Sequence, residues 1–139
     1  NIGVETGVIA ASPHKLITML FDGALVAIAL GKKSMGEGNI KDKGESITKA
    51  ILIIDNGLRA SLNKEVGGEL ALNLDSLYEY MSRRLFEANA TNNPAILDEI
   101  HGLLDDIRSA WEQIGPNAAQ SAPQMAFLQD NAQPSFAKA

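Results

Sequence analysis

The sequence predicts an all-α fold, an antiparallel up-down-up-down four-helix bundle with a flexible N-terminal arm and C-terminal tail. Three observations carry this. Four long segments place apolar residues at helical spacing, no segment alternates with the period of a strand, and the connections are short enough to make successive helices antiparallel neighbours. The bundle is assigned to residues 12–114, the arm to residues 1–11 and the tail to residues 115–139.

The first helix opens at Ser12-Pro13, a capping hydroxyl followed by proline at the first helical position, where its missing N–H costs nothing. It runs to about Met35. Leu16, Leu20, Gly23 and Ala27 fill one side and Ile17, Phe21, Leu25 and Ile28 the next, leaving a polar strip of His14, Lys15, Thr18, Asp22, Lys32 and Lys33. The apolar arc is about twice the roughly 100° that a helix roofing a small domain needs. Gly36 to Asn39 form a tight connection, and Asn39 caps a second helix from about Ile40 to Leu62. Its inner face is Ile40, Ile47, Ile51, Ile54, Leu58 and Leu62. Gly67-Gly68 breaks the chain before a third helix from about Glu69 to Asn89, with Leu70, Leu74, Leu77, Met81, Leu85 and Ala88 inward. Thr91-Asn92-Asn93-Pro94 supplies another cap and proline. The fourth helix then carries Leu97, Ile100, Leu104, Ile107, Trp111 and Ile114, whose alternating steps of three and four suit helices crossing at shallow angles. The tail changes character, with three prolines, seven alanines, four glutamines and little charge.

Composition excludes several classes of function. The net charge of −5 and the absence of a basic patch argue against nucleic acid and anionic membranes as partners. No cysteine is present, which suits the cytosol and removes disulfides, thiolate zinc sites and Cys nucleophiles. The longest apolar run, Ala24 to Leu30, falls short of the ~20 residues of a bilayer span, so no membrane insertion is expected. A di-metal carboxylate site in a bundle needs two Glu-x-x-His motifs; Asp98 and His101 have that spacing once, and His14 has no carboxylate three residues before it. Serine-nucleophile, P-loop and dinucleotide fingerprints are absent. No enzyme, metal or cofactor is therefore expected.

The informative feature is a surplus of apolar residues. Leu52 and Ile53 lie off the core face of the second helix, Leu72 and Phe86 share an outer side of the third, and Ile96, Leu103 and Ala110 widen one edge of the fourth. Scattered exposed hydrophobes are ordinary; the alternative is that they line a groove for an amphipathic segment of another chain. Arg83, with Glu79 and Glu87 four residues either way, reads as solvated helix surface, and Arg84 lies near the core boundary. Tyr78 and Tyr80 read as packing residues with a wet hydroxyl.

The stretch "ASPHKLITMLFDGAL" resembles the serine-proline, Met-Leu-Tyr-Asp-Gly-Ala opening of the flagellar secretion chaperone family, FliS. "KGESITKAILIIDNGLRASLN", "GGELALNLDSLYEYMSRRLFEAN" and "LLDDIRSAWEQI" resemble its second, third and closing helices, and the match runs in order from Val4 to Ile114. Phe21 stands where the family often has tyrosine, and the family's tyrosine-bearing extreme N-terminus is not in this sequence. The resemblance implies a cytosolic, non-catalytic bundle that binds the disordered C-terminal segment of flagellin. It also implies prevention of premature polymerisation, and delivery to components of the flagellar type III export gate. The helical wheel then offers Ile17, Phe21, Leu25, Leu52, Ile53, Leu72, Phe86 and Leu103 as groove lining. Two rivals remain at this stage: an adaptor for another flagellar client, and a self-associating homodimer. Ile2, Val4, Val8 and Ile9 of the arm, and "QMAFLQ" and Phe136 of the tail, give either end a means of covering an empty groove.

Overall fold

The computed structural model describes residues 12–115, so the arm, and all of the tail beyond Gly115, lie outside the described residues. Four helices follow in order: α1 (Pro13–Gly36), α2 (Ile40–Ile53), α3 (Lys64–Thr91) and α4 (Pro94–Ile114). Between α2 and α3 the chain continues through a π-helical turn, Ile54–Leu58, and a 3-10 turn, Arg59–Ser61. Each helix packs chiefly on the helices before and after it, and α4 returns to α1, so α1 and α3 are diagonal. Side-chain pairs show the directions. Gly23 meets Ile53 while Gly31 meets Ile47, and Asp22 pairs with Arg108 while Lys32 pairs with Asp98. Along α2 and α3, Lys43 reaches Asn89 while Asp55 accepts from Ser82. All three interfaces therefore run antiparallel.

The helix starts follow local capping chemistry. Ser12 accepts from the Lys15 N–H at 3.1 Å, Asn39 from Asp42 at 3.2 Å and Asn93 from Ala95 at 3.0 Å, each satisfying an N–H that the helix leaves unpaired. Two boundaries differ from expectation. The regular part of α2 stops at Ile53 instead of continuing to Leu62, and the Ser61 hydroxyl donates to the Gly57 carbonyl at 2.7 Å, competing with the regular ladder. α3 begins at Lys64, not Glu69, because Asn63 accepts from the N–H groups of both Glu65 and Val66. The predicted break then occurs inside this helix, at Gly68 with φ 59°, ψ −130°.

The core is built from Phe21, Ala24 and Ile28 of α1, Ile47, Ile54 and Leu58, Tyr78, Met81 and Leu85 of α3, and Leu97, Ile100, Leu104 and Trp111 of α4. Ile40 is a correction to the predicted inner face: it is the first residue of α2 and 73% exposed. The polar strip of α1 is another. His14 and Thr18 are buried, because each finds a backbone partner: Thr18 donates to the His14 carbonyl at 3.0 Å, and His14 Nε2 lies 3.0 Å from the Trp111 carbonyl. Trp111 Nε1 donates back to the His14 carbonyl at 3.0 Å, and the two rings stack with centroids 4.7 Å apart. This reciprocal clasp joins the start of α1 to the end of α4. Lys43, also buried, donates to the Asn89 carbonyl at 3.0 Å and to Asn92 Oδ1 at 2.6 Å, placing a cation at the C-terminus of α3. Tyr78 is fully enclosed, which pushes its hydroxyl pKa up; the wet hydroxyl expected for it is not what the structure has.

Candidate functional site

The core face of α1 takes Phe21, Ala24, Leu25, Ala27, Ile28 and Gly31. What remains outside is itself ordered. Leu16, Met19, Val26 and Leu30 are exposed by 38%, 42%, 57% and 50%, and with half-buried Gly23 they step by three, four, three and four. That spacing is the seam by which one helix receives another, here with no described helix on it. It covers fourteen residues of rise, about 21 Å. α2 forms one bank. A Cβ on Gly23 would stand 3.3 Å from Ile53 Cδ1, and one on Gly57 would stand 3.0 Å from Leu20 Cδ2, so small residues let the two helices close up. Leu20 and Ile53 are thereby half-buried beside the seam. The double load explains why α1 is apolar so far round, and why it is long and apolar enough to cross a membrane by those measures alone.

The eight residues expected to line a groove are not brought together. Phe21 is fully buried and Leu25 is 9% exposed, so both pack the core and neither is open to a guest. Ile17 and Leu103 are half-buried against the same core. Ile53 borders the α1 seam, and Leu52 is exposed on the outer side of α2 in a shallow hollow with Gly44, Glu45, Thr48 and Lys49. Leu72 and Phe86 are exposed on α3, the helix diagonal to α1. Sequence reasoning missed Leu16, Met19, Val26 and Leu30, although their alternating spacing was the signal.

Charged side chains pair both within helices and between them. Arg84 donates to Glu99 at 3.0 Å and to Glu87 at 2.8 Å, and Glu99 also accepts from the Tyr80 hydroxyl. These bonds, Tyr80 first, hold the Glu99 carboxyl below the usual range. Asp75 accepts from Arg59 Nε at 2.7 Å and stands 3.4 Å from Lys64 Nζ. The Arg59 hydrogen bond holds Asp75 low against the opposite pull of its partial burial. A carboxylate whose folded pKa is depressed contributes stability above its unfolded value of about 4, and that contribution is lost as pH falls through the folded value. Asp75→Asn should therefore lower the melting temperature at neutral pH and change nothing once both states are protonated, near pH 2. Circular dichroism melts at both pH values check this; an equal deficit at both would assign the effect to packing.

The family described as "Flagellar protein FliS" matches residues 1–118. The chain belongs to the FliS family. It is 50% identical over 119 residues to the flagellar secretion chaperone FliS of Salmonella typhimurium, covering 86% of this chain and 88% of that one. It is 46% identical to the protein of the same name from Escherichia coli (81% and 83% covered) and 44% identical to that of Vibrio cholerae (84% and 85% covered). A FliS chain is thus a member of a family of flagellar secretion chaperones, which is not a class of enzyme.

Proposed function

We propose that this protein is a cytosolic export chaperone that covers the disordered C-terminal segment of flagellin, prevents its premature polymerisation and helps deliver it to the flagellar type III export gate. The observation that carries the reading is the 3-4 seam of Leu16, Met19, Val26 and Leu30, with half-buried Gly23 at its centre, which the described residues leave exposed on a chain of the FliS family. A seam of that spacing is complementary to an amphipathic helix, and a disordered segment that folds on contact supplies one. Covering the segment's apolar face takes it away from other copies of itself. Part of the interaction energy goes into ordering the guest, so binding is specific and still reversible at the export gate.

Calorimetric titration with a peptide of the C-terminal segment of the same organism's flagellin tests this, with circular dichroism on the mixture. The expected result is saturable one-to-one binding, a negative heat-capacity change and a gain in helicity. A folded protein that shows neither heat nor helicity with this peptide would leave an adaptor for another flagellar client as the better reading.

A further inference from the structure

We propose that the outer face of α3 is a two-fold interface with a second copy of this chain, in which the two α3 helices pack antiparallel and leave both α1 seams open. Along that face Leu72, Ser76, Glu79, Arg83, Phe86 and Ala90 step alternately by four and three, and all six are exposed, Leu72 by 53% and Phe86 by 69%. They cover eighteen residues of rise, about 27 Å. The spacing is again that of a surface that receives a helix. What occupies each position then says which helix fits.

Opposite charges stand at the centre of this strip and apolar residues at its ends, so it complements itself when one copy is turned end for end. With the axis midway between Glu79 and Arg83, Glu79 of each copy meets Arg83 of the other, Phe86 meets Ser76, and Leu72 meets Ala90. Each large apolar side chain is received by a small residue. Beside the seam Tyr80 meets Tyr80, Ser82 meets Ser82 and Glu87 faces Asn73, while Asp75, already 2.7 Å from Arg59, faces Asn89. No like-charged pair arises. Other arrangements create one. Parallel packing sets Glu79 on Glu79 and Arg83 on Arg83, and the antiparallel register that sets Leu72 on Phe86 brings two Glu79 carboxylates together on the axis; contact between like charges opposes both. Within one copy Arg83 stands 3.4 Å from Glu79 and lies over the Tyr80 ring at 5.6 Å, with side chains 57% and 49% exposed for the arginine and the glutamate, so the four charges of two copies can join in one cluster. A single helix pair of this length is at the small end of specific interfaces, and each copy carries a net charge of −5, so the dimer should dissociate on dilution. Because α3 is diagonal to α1, the dimer presents its two α1 seams on outward sides. The argument uses α3 alone and does not depend on what the α1 seam binds.

Sedimentation equilibrium of the full chain over a concentration series tests this, and the expected mass rises from one chain toward two. E79R and R83E, both at exposed positions and with wild-type melting curves, should each dimerise about tenfold more weakly at low salt, since each replaces two attractive contacts by two repulsive ones. An equimolar mixture of the two variants should regain the dimer, because a wholly basic centre then meets a wholly acidic one. F86D should also weaken the dimer, and V26D, on the diagonal helix, should not. A wild-type chain that remains a monomer at about 1 mM overturns the proposal. So does a dimer that E79R, R83E and F86D leave unchanged, or a mixture of the charge variants no stronger than either alone. A dimer lost in V26D, or dispersed by the flagellin C-terminal peptide, also overturns it, by placing the second copy on the α1 seam. Two peptides bound per intact dimer supports it. A chain that dimerises as expected but binds no peptide upholds the interface and removes the chaperone reading alone.

Discussion

Trp111→Ala should destabilise the bundle by about 3–5 kcal/mol, the range for emptying a large aromatic site in a core. Trp111 is 1% exposed, and three separate contacts end on it. Its indole N–H bonds the His14 carbonyl, its own carbonyl lies within hydrogen-bonding distance of the His14 ring, and the rings stack. In a domain of this size that loss corresponds to a fall in melting temperature of roughly 10–25 °C. Trp111→Phe keeps an aromatic ring but removes the indole N–H from the His14 carbonyl, which retains the Thr18 hydroxyl, and should cost about 1 kcal/mol. Thermal melts of the two variants separate ring from hydrogen bond. If Trp111→Ala melts within a few degrees of the wild type, the clasp does not hold α4 to α1. Because the clasp closes over the first turn of α1, just before Leu16, its loss should also weaken client binding in whatever fraction remains folded.

The parts of the fold that were legible in the sequence are those decided locally. Ser12-Pro13, Asn39 and Asn93-Pro94 mark their helix starts because capping is a contact between residues two or three apart. The core faces of α3 and α4 were legible because Leu74, Met81 and Leu85, and Leu97, Ile100 and Leu104, repeat with the helical period. The end of α2 was not legible, since the π turn and the Ser61 contact with Gly57 interrupt a sequence pattern that continues to Leu62. The polar strip misled for a related reason: His14 and Thr18 turn inward when backbone carbonyls of α4 and α1 lie within reach, which a wheel cannot show.

Two residues of the expected lining, Phe21 and Leu25, pack the core for one particular reason. A helix that is apolar over most of its circumference does not declare which side its neighbours take, and the wheel assigned the open side to Ile17, Phe21 and Leu25. The neighbours decide otherwise. α2 approaches at Gly23 and Gly31, where a Cβ would come within 3.3 and 2.9 Å of isoleucine side chains, so the core lies on the Phe21 side and the seam is left outside. Glycines within an apolar helix were the available sign of that close approach.

Val26→Asp should weaken binding of the flagellin peptide by at least about a hundredfold while leaving the fold intact. Val26 is 57% exposed, so the free protein gives up little, whereas a guest helix seated on the seam would have to desolvate a carboxylate and lose an apolar contact. Phe86→Asp provides the contrast. Phe86 is 69% exposed and its side chain is the larger apolar surface, but it belongs to α3, diagonal to α1, and its replacement should change affinity by less than about twofold. Calorimetry on both variants, each with a wild-type melting curve, distinguishes the two faces by position and not by hydrophobicity. The reverse pattern, with Phe86→Asp abolishing binding and Val26→Asp tolerated, would move the client to the α3 face. The 3-4 seam would then need another occupant.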